Sequence, residues 1–529
     1  MARSSAVLAH ASGVPGILLR GMPGSGKTAC ALELAYTHEH GFDRLVWCKA
    51  PDEDHDITGA LADFALTLER NLPGLQMVHL LADTAGLAAF LPKLTELVEL
   101  RRVLIVIDNI ESLLSPGGQW RDVRWGQVTG ALSAHAGRGR VVLTSRRLPV
   151  SATGLRVEAV DALSLDEALL LAREMPHLQT LIQGELSGVE RDVARGLALG
   201  VLGIAQGHPK LLELADGQAA DPGRLAALVE AGDQAWREAG GLPEGFFATG
   251  ESRAAAEDYL HVLGTWAQSV SEGLAPGQRT LFWFLCCLEE DDRTRFIADK
   301  TWGSLWARLK LDGEPPDLGQ ALTGLATQGV IAIQPKTEAA AETYGIHPVI
   351  AVVGHNDAGK EFRDAVDVEL ASFWHTVVHV ALERTGNDRS SALMGRAGLA
   401  ATPYLMRQGE WAVAGSLLEH AFLRDRSPAT AAAILPALQA IAATGHDPDA
   451  AGRLATVLTL IAPTAAEQQM RAILDAAVAR GDYRTAGTAA GYLTDQYHDS
   501  GRLAEALALA DETIGYTLRA GCRALDSAR

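Results

Sequence analysis

Short apolar runs recur through the first third of the chain: GILLR (16–20), RLVWC (44–48), RVLIVI (102–107), RVVLT (140–144) and LRVEAV (155–160). They are aliphatic and β-branched, with little polar alternation, so each predicts a strand buried on both faces. Between them lie helical patterns at 27–40, 58–70 and 87–100. Strands alternating with helices predict a parallel sheet covered on both sides, over residues 1–160.

Strand signals stop after DALSLDEALLLARE (161–174). Residues 161–270 read as a helical segment punctuated by Pro and Gly. Residues 271–355 combine helices near 278–289 and 318–328 with two short apolar runs, GVIAIQ (329–334) and YGIHPVIAVV (344–353), a pattern that fits a small winged-helix module. From 356 to 529 the chain is Ala/Leu-rich and helical, with breaks at RQGEW, ATGHDPD, ARGDY and DSGRL. Gly409, Gly445 and Gly481 are evenly spaced, which predicts stacked helical hairpins of the tetratricopeptide kind.

Composition narrows the picture. At 529 residues the chain has room for roughly three or four domains. Its 48% hydrophobic and 21% charged content is that of a soluble globular protein. No apolar run reaches the ~20 residues that span a bilayer. The early run AVLAHA, broken by His10, is too short for a secretion signal, so no membrane partner and a cytoplasmic location are expected. Cys30, Cys48, Cys286, Cys287 and Cys522 show no metal-ligand spacing and read as reduced, buried thiols. A net charge of −19 argues against a nucleic-acid partner. Lys is scarce beside Arg, so a Lys within a motif is informative.

One motif carries clear chemistry. GMPGSGKT (21–28) follows a predicted strand and opens a predicted helix. Gly21, Gly24 and Gly26 let the backbone turn so that successive N–H groups face one point, and the helix start adds partial positive charge. Lys27 is placed for the β- and γ-phosphates of a nucleoside triphosphate, and the Thr28 hydroxyl for Mg²⁺. RVLIVIDNIES ends a strand in Asp108, a second candidate holder of Mg²⁺. Asn109 stands where many hydrolases keep a carboxylate base; an amide orients water but takes no proton, so hydrolysis should be slow. Glu111 is an alternative base. The strand RVVLTSRR ends in Thr144, Ser145 and Arg146, where Arg146 is placed to sense a γ-phosphate.

In this order the motifs resemble the NB-ARC/STAND class of P-loop NTPases. GMPGSGKT is similar to the Walker A motif, LIVIDN (104–109) to Walker B and LTSRR (143–147) to the sensor strand, whose arginine corresponds to Arg146. LSLDEALLLA (163–172) is similar to the start of the first helical subdomain. GHPKLLELA (207–215) resembles the GxP motif, whose proline, here Pro209, packs near adenine. YGIHPVIA (344–351) resembles the MHD motif, whose histidine, here His347, approaches the β-phosphate of ADP; the motif's aspartate is Pro348 in this chain, and its role is lost. The resemblance implies an α/β P-loop NTPase followed by a helical subdomain (161–270), a winged helix (271–355) and α-solenoid repeats (356–529). It implies ATP or ADP with Mg²⁺, contacted by Gly21, Met22, Pro23, Gly24, Ser25, Gly26, Lys27, Thr28, Ala29, Pro209 and His347, with Lys27, Asp108, Asn109 and Arg146 in hydrolysis. It further implies a slow ATPase switch: ADP holds a closed form, a protein or ligand on the repeats favours an ATP-bound open form, and that form assembles as a homo-oligomer.

Three other functions remain open on the sequence. A fast ATPase motor needs a carboxylate where Asn109 stands. A non-catalytic scaffold would hold nucleotide structurally. A transcriptional regulator of the same class would read DNA through the module near 278–335. So little precedes the phosphate loop that no N-terminal effector domain is expected. The final helix lacks a polar cap, which fits either a piece of a longer protein or one with a separate effector.

Overall fold

The computed structural model describes residues 2–9, 13–51, 60–81, 84–150, 154–186, 188–336, 341–383, 388–447, 449–461 and 463–520. Cys522 and the first two positions of the 58–70 helical pattern lie outside these. Among the described residues no helix is long and apolar enough to cross a membrane. The chain forms two compact units.

The first unit takes residues 1–53, 99–121 and 136–369. Its sheet contains all five expected strands: β1 (Gly16–Arg20), β2 (Arg44–Lys49), β3 (Val103–Asp108), β4 (Arg140–Ser145) and β5 (Leu155–Ala159), ordered β2-β3-β4-β1-β5. All pairings are parallel, with Arg20 opposite Ser145 and Ile107 opposite Leu143. The carboxyl ends of β1, β3 and β4 therefore meet on one edge. Ile17, Leu19, Leu104, Val106 and Val142 pack one sheet face against Val7, Leu8, Ala31, Leu34 and Ala35 of the helices Ala2–Leu8 and Lys27–His38. Leu18, Ile105 and Leu143, of opposite alternation, are equally buried. Central strands buried on both faces account for the unbroken apolar runs.

Helices continue from Leu165 to Gly273, beginning at a capping box in which Ser164 and Glu167 satisfy each other's backbone N–H. Then come helices Pro276–Cys287, Arg295–Arg308 and Leu318–Thr327 and an antiparallel hairpin, β6 (Ala332–Gln334) and β7 (Thr343–Gly345), with Ile333 opposite Tyr344. The helix Arg295–Arg308 has no counterpart in the sequence reading: Phe296 is exposed while adjacent Ile297 is buried, so its apolar residues form no single stripe. The run YGIHPVIAVV is strand only to Gly345; from Pro348 to Asp357 it is helix. His347 is the N-cap and Pro348 the first helical residue, a position that suits a residue with fixed φ and no N–H.

The second unit takes residues 54–98, 122–135 and 370–529. Its C-terminal part is a series of helices: Asp388–Arg407, Trp411–Arg424, Pro428–Thr444, Ala450–Ile461, Pro463–Arg480, Tyr483–Asp499 and Leu503–Arg519. Gly409, Gly445 and Gly481 have φ of 79°, 69° and 72°, left-handed turns that favour glycine. Small side chains let the helices approach: Ala477, Ala486, Ala489 and Ala490 interleave with Met470, Leu474 and Leu493. The helices Ala60–Asn71 and Val123–Ser133 belong here too, with the Phe64 and Trp125 rings 5.2 Å apart. The parallel sheet and the long helical series agree with the fold class read from the sequence.

Candidate functional site

β1 delivers the chain into the loop at Gly21, and the helix Lys27–His38 begins on the loop's lysine. Gly24 (φ 76°) and Gly26 (φ 92°) are left-handed, which turns the backbone through the cradle. Lys27 is buried to 9% exposure, and its ammonium donates to the Met22 carbonyl at 2.8 Å. Desolvation lowers its pKa, opposed by the Glu111 charge. The Ser25 hydroxyl is buried with no protein partner.

Thr28 donates its hydroxyl to both Asp108 oxygens, at 3.0 and 3.1 Å. Thr144, from β4, also donates to Asp108 and accepts the Asn109 backbone N–H at 2.8 Å. Asp108 is only 4% exposed. Hydroxyl and carboxylate oxygens at this spacing are the donors a hard divalent cation takes. Asn109 sits in the left-handed region (φ 68°), and its side-chain N–H₂ reaches the Pro51 carbonyl at 3.4 Å. Glu111 is occupied: Arg146 Nε donates to it at 2.7 Å, and the carboxylate is 3% exposed. The Arg146 backbone N–H donates to its other oxygen at 3.3 Å, so both carboxylate oxygens are engaged.

Two imidazoles close on the loop from distant parts of the sequence. His347 caps its helix, and the space beside Gly24 ends 3.1 Å away at His347 Nε2. His208, from the turn before the helix Pro209–Gln218, lies nearer, its Cε1 at 2.6 Å from where a Gly24 side chain would begin. His208 Nε2 lies 2.9 Å from the Pro23 carbonyl. The Nδ1 atoms of both rings are buried and without a protein partner. Burial pushes the pKa of His208 down to about 4 and that of His347 to about 3; for His347, Lys210, His208, Lys27 and Arg146 lower it further. Both rings are neutral at pH 7 amid positive charge. A cleft of about 540 Å³ opens beside the loop, lined by Met22, Pro23, Arg146, Asp161, Ser252 and Tyr259.

Residues 5–177 match the NB-ARC domain family. That segment of the chain is similar to an NB-ARC domain. No curated protein matches the chain. Among solved structures, a STAND protein with a tetratricopeptide repeat sensor from Pyrococcus horikoshii is 15% identical, with 99% of this chain and 77% of that one covered and a TM-score of 0.42. A Walker-type ATPase of Pyrococcus abyssi is 14% identical over 67% of this chain and 94% of its own, with a TM-score of 0.29.

The sequence-predicted residues Lys27, Thr28, Asp108, Arg146 and His347 gather at one edge of the parallel sheet and its neighbouring helices. Ala29 is exposed on the first turn after the loop. Pro209 opens its helix, while the hydrogen bond to the loop comes from its neighbour His208. His208 and Lys210 have no role in the sequence analysis, and Thr144, expected only among the polar groups ending its strand, is bonded to Asp108. Lys210 had a signal, since it is a rare Lys beside a motif; the nearness of His208 to a loop 185 positions upstream had none. The buried, unpartnered Ser25 hydroxyl and the nearby cations Lys27, Arg146 and Lys210 fit a polyphosphate, and Thr28 with Asp108 fits its divalent cation.

Proposed function

We propose that this chain is a nucleotide-controlled switch that binds ADP and ATP with Mg²⁺ and hydrolyses ATP slowly. The observation that carries the reading is the loop itself: left-handed turns at Gly24 and Gly26, a Ser25 hydroxyl buried without a protein partner, and a buried Lys27 followed by the Thr28–Asp108 pair. A buried donor left without a partner is costly, and a phosphate oxygen would satisfy it. In this reading the loop amides and Lys27 hold the β- and γ-phosphates, and Thr28 and Asp108 hold the metal, which supplies charge neutralisation on the phosphate oxygens. Arg146 senses the γ-phosphate, Pro209 packs near the base and His347 meets the β-phosphate. Slow turnover follows from Asn109, whose amide takes no proton and whose left-handed backbone turns the side chain to the Pro51 carbonyl, and from the engagement of Glu111 by Arg146.

Four parts divide the work: 1–160 binds nucleotide, 161–270 and 271–355, a helical and a winged-helix subdomain, close over it, and the repeats from 356 onward sense a protein or ligand. Opening exposes surfaces for homo-oligomerisation. Moving such an equilibrium from mostly closed to mostly open takes about 5.5 kcal/mol of differential binding. Mass spectrometry of nucleotide released from the purified, denatured protein tests the reading. ADP near one equivalent supports it; a preparation that neither retains nor binds ADP or ATP overturns it.

A further inference from the structure

We propose that His208 is a positioning residue that braces the phosphate loop through the Pro23 carbonyl and so slows release of bound nucleotide. This rests on the nucleotide reading above and assigns a role to a residue outside the phosphate loop and the metal pair.

The loop has two consecutive carbonyls with side-chain donors. Met22 O accepts from Lys27, and Pro23 O lies 2.9 Å from His208 Nε2. A carbonyl only accepts, so Nε2 carries the hydrogen and Nδ1 is bare. The two donors differ in what they do next. Lys27 is the group that turns to the phosphates, and Met22 O then keeps only the Ser25 backbone N–H, at 3.3 Å. His208 stays, and the Pro23 carbonyl remains held while the loop amides engage the ligand.

His208 is oriented in advance. The helix Arg191–Ala205 ends in two successive left-handed residues, Gln206 (φ 47°) and Gly207 (φ 78°), which reverse the chain and set His208 at the N-cap of the next helix. Gly207 admits no side chain, because one would begin 2.0 Å from the Leu163 carbonyl. Leu163 N–H donates to Gly207 O at 2.8 Å, fixing the turn to the strand β5 exit. The Tyr259 hydroxyl donates to Gln206 O at 2.8 Å, and its ring lies 5.2 Å from the imidazole. The imidazole is 0% exposed, so water does not replace it at Pro23. A donor fixed on three sides and buried against the loop restricts the loop without touching the ligand.

His208→Gln and His208→Asn separate the brace from mere filling of space. Gln carries an N–H at the reach of Nε2; Asn stops an atom short while staying polar. Two measurements are made on the full chain: dissociation of a fluorescent ADP by stopped flow, and amide hydrogen exchange of the loop in nucleotide-free protein. His208→Asn is expected to release ADP roughly tenfold faster and to exchange faster at the loop, with His208→Gln within about threefold of wild type on both. Asn matching wild type, or Gln and Asn equally impaired, overturns the proposal. A wild-type protein that binds no ADP defeats the nucleotide reading instead, and the exchange comparison still decides the brace.

Discussion

Gly24→Ala puts the packing of the loop to a quantitative test, with Gly26→Ala as its internal control. Both glycines are left-handed, at φ 76° and 92°, so an added Cβ costs each roughly 1–2 kcal/mol in backbone strain. They differ in surroundings. Nothing lies within 4 Å of a Cβ at Gly26, whereas one at Gly24 starts 2.6 Å from His208 Cε1 and 3.1 Å from His347 Nε2. Carbon pairs settle near 3.5–4.0 Å, so the His208 ring must retreat by about 1 Å. Overpacking of that kind costs roughly 1–3 kcal/mol, and the lost Pro23 hydrogen bond about 1 more. At roughly 2–4 °C per kcal/mol, Gly26→Ala should melt about 2–8 °C below wild type and Gly24→Ala clearly lower still. The assay is differential scanning fluorimetry of nucleotide-free protein in EDTA, which removes ligand effects. Equal melting of the two variants would refute the argument that the histidines press on Gly24.

The other predictions address charge, protons and turnover. Lys27→Ala keeps its fold, because it gives up a bond to one loop carbonyl, but weakens ADP binding by about 10–100-fold in calorimetric titration. His208 and His347 have native pKa values near 4 and 3 against 6.5 unfolded, so below pH 6.5 the unfolded chain takes up protons that the native one does not. Their stabilisation is full above pH 6.5 and is lost as the pH falls toward 4 and 3. His347→Gln should therefore flatten the drop in urea midpoint between pH 7 and pH 5, and an unchanged slope would count against buried neutral rings. Steady-state ATP turnover should stay well below one per second, and Asn109→Asp should not speed it, since the left-handed backbone directs that side chain to the Pro51 carbonyl. An Asn109→Asp variant turning over tenfold faster in a coupled assay would show that the missing carboxylate alone is limiting.

Legibility in the sequence followed the range of the interaction. The five strands and the phosphate loop rest on patterns a few residues long, and they fall where those patterns put them. Tight helix packing through Ala and left-handed glycine turns made the repeats readable in the same way. The second half of YGIHPVIAVV misled because a short apolar run looks alike in strand and helix, and Pro348 decides between them only once His347 is seen as a cap. The Arg146–Glu111 pair and the His208–Pro23 contact join residues far apart in the chain, and no local period encodes them.

The bond from Lys27 to the Met22 carbonyl has a consequence for binding thermodynamics. The loop is a self-liganded site: its cation already has an oxygen before any phosphate arrives. Phosphate binding at Lys27 is then a substitution, one oxygen for another at constant hydrogen-bond number, and its driving force is the difference between an anionic and a neutral acceptor. Exchange of this kind is symmetric in time, since the same carbonyl that yields to the incoming phosphate stands ready to reclaim the ammonium when the phosphate leaves.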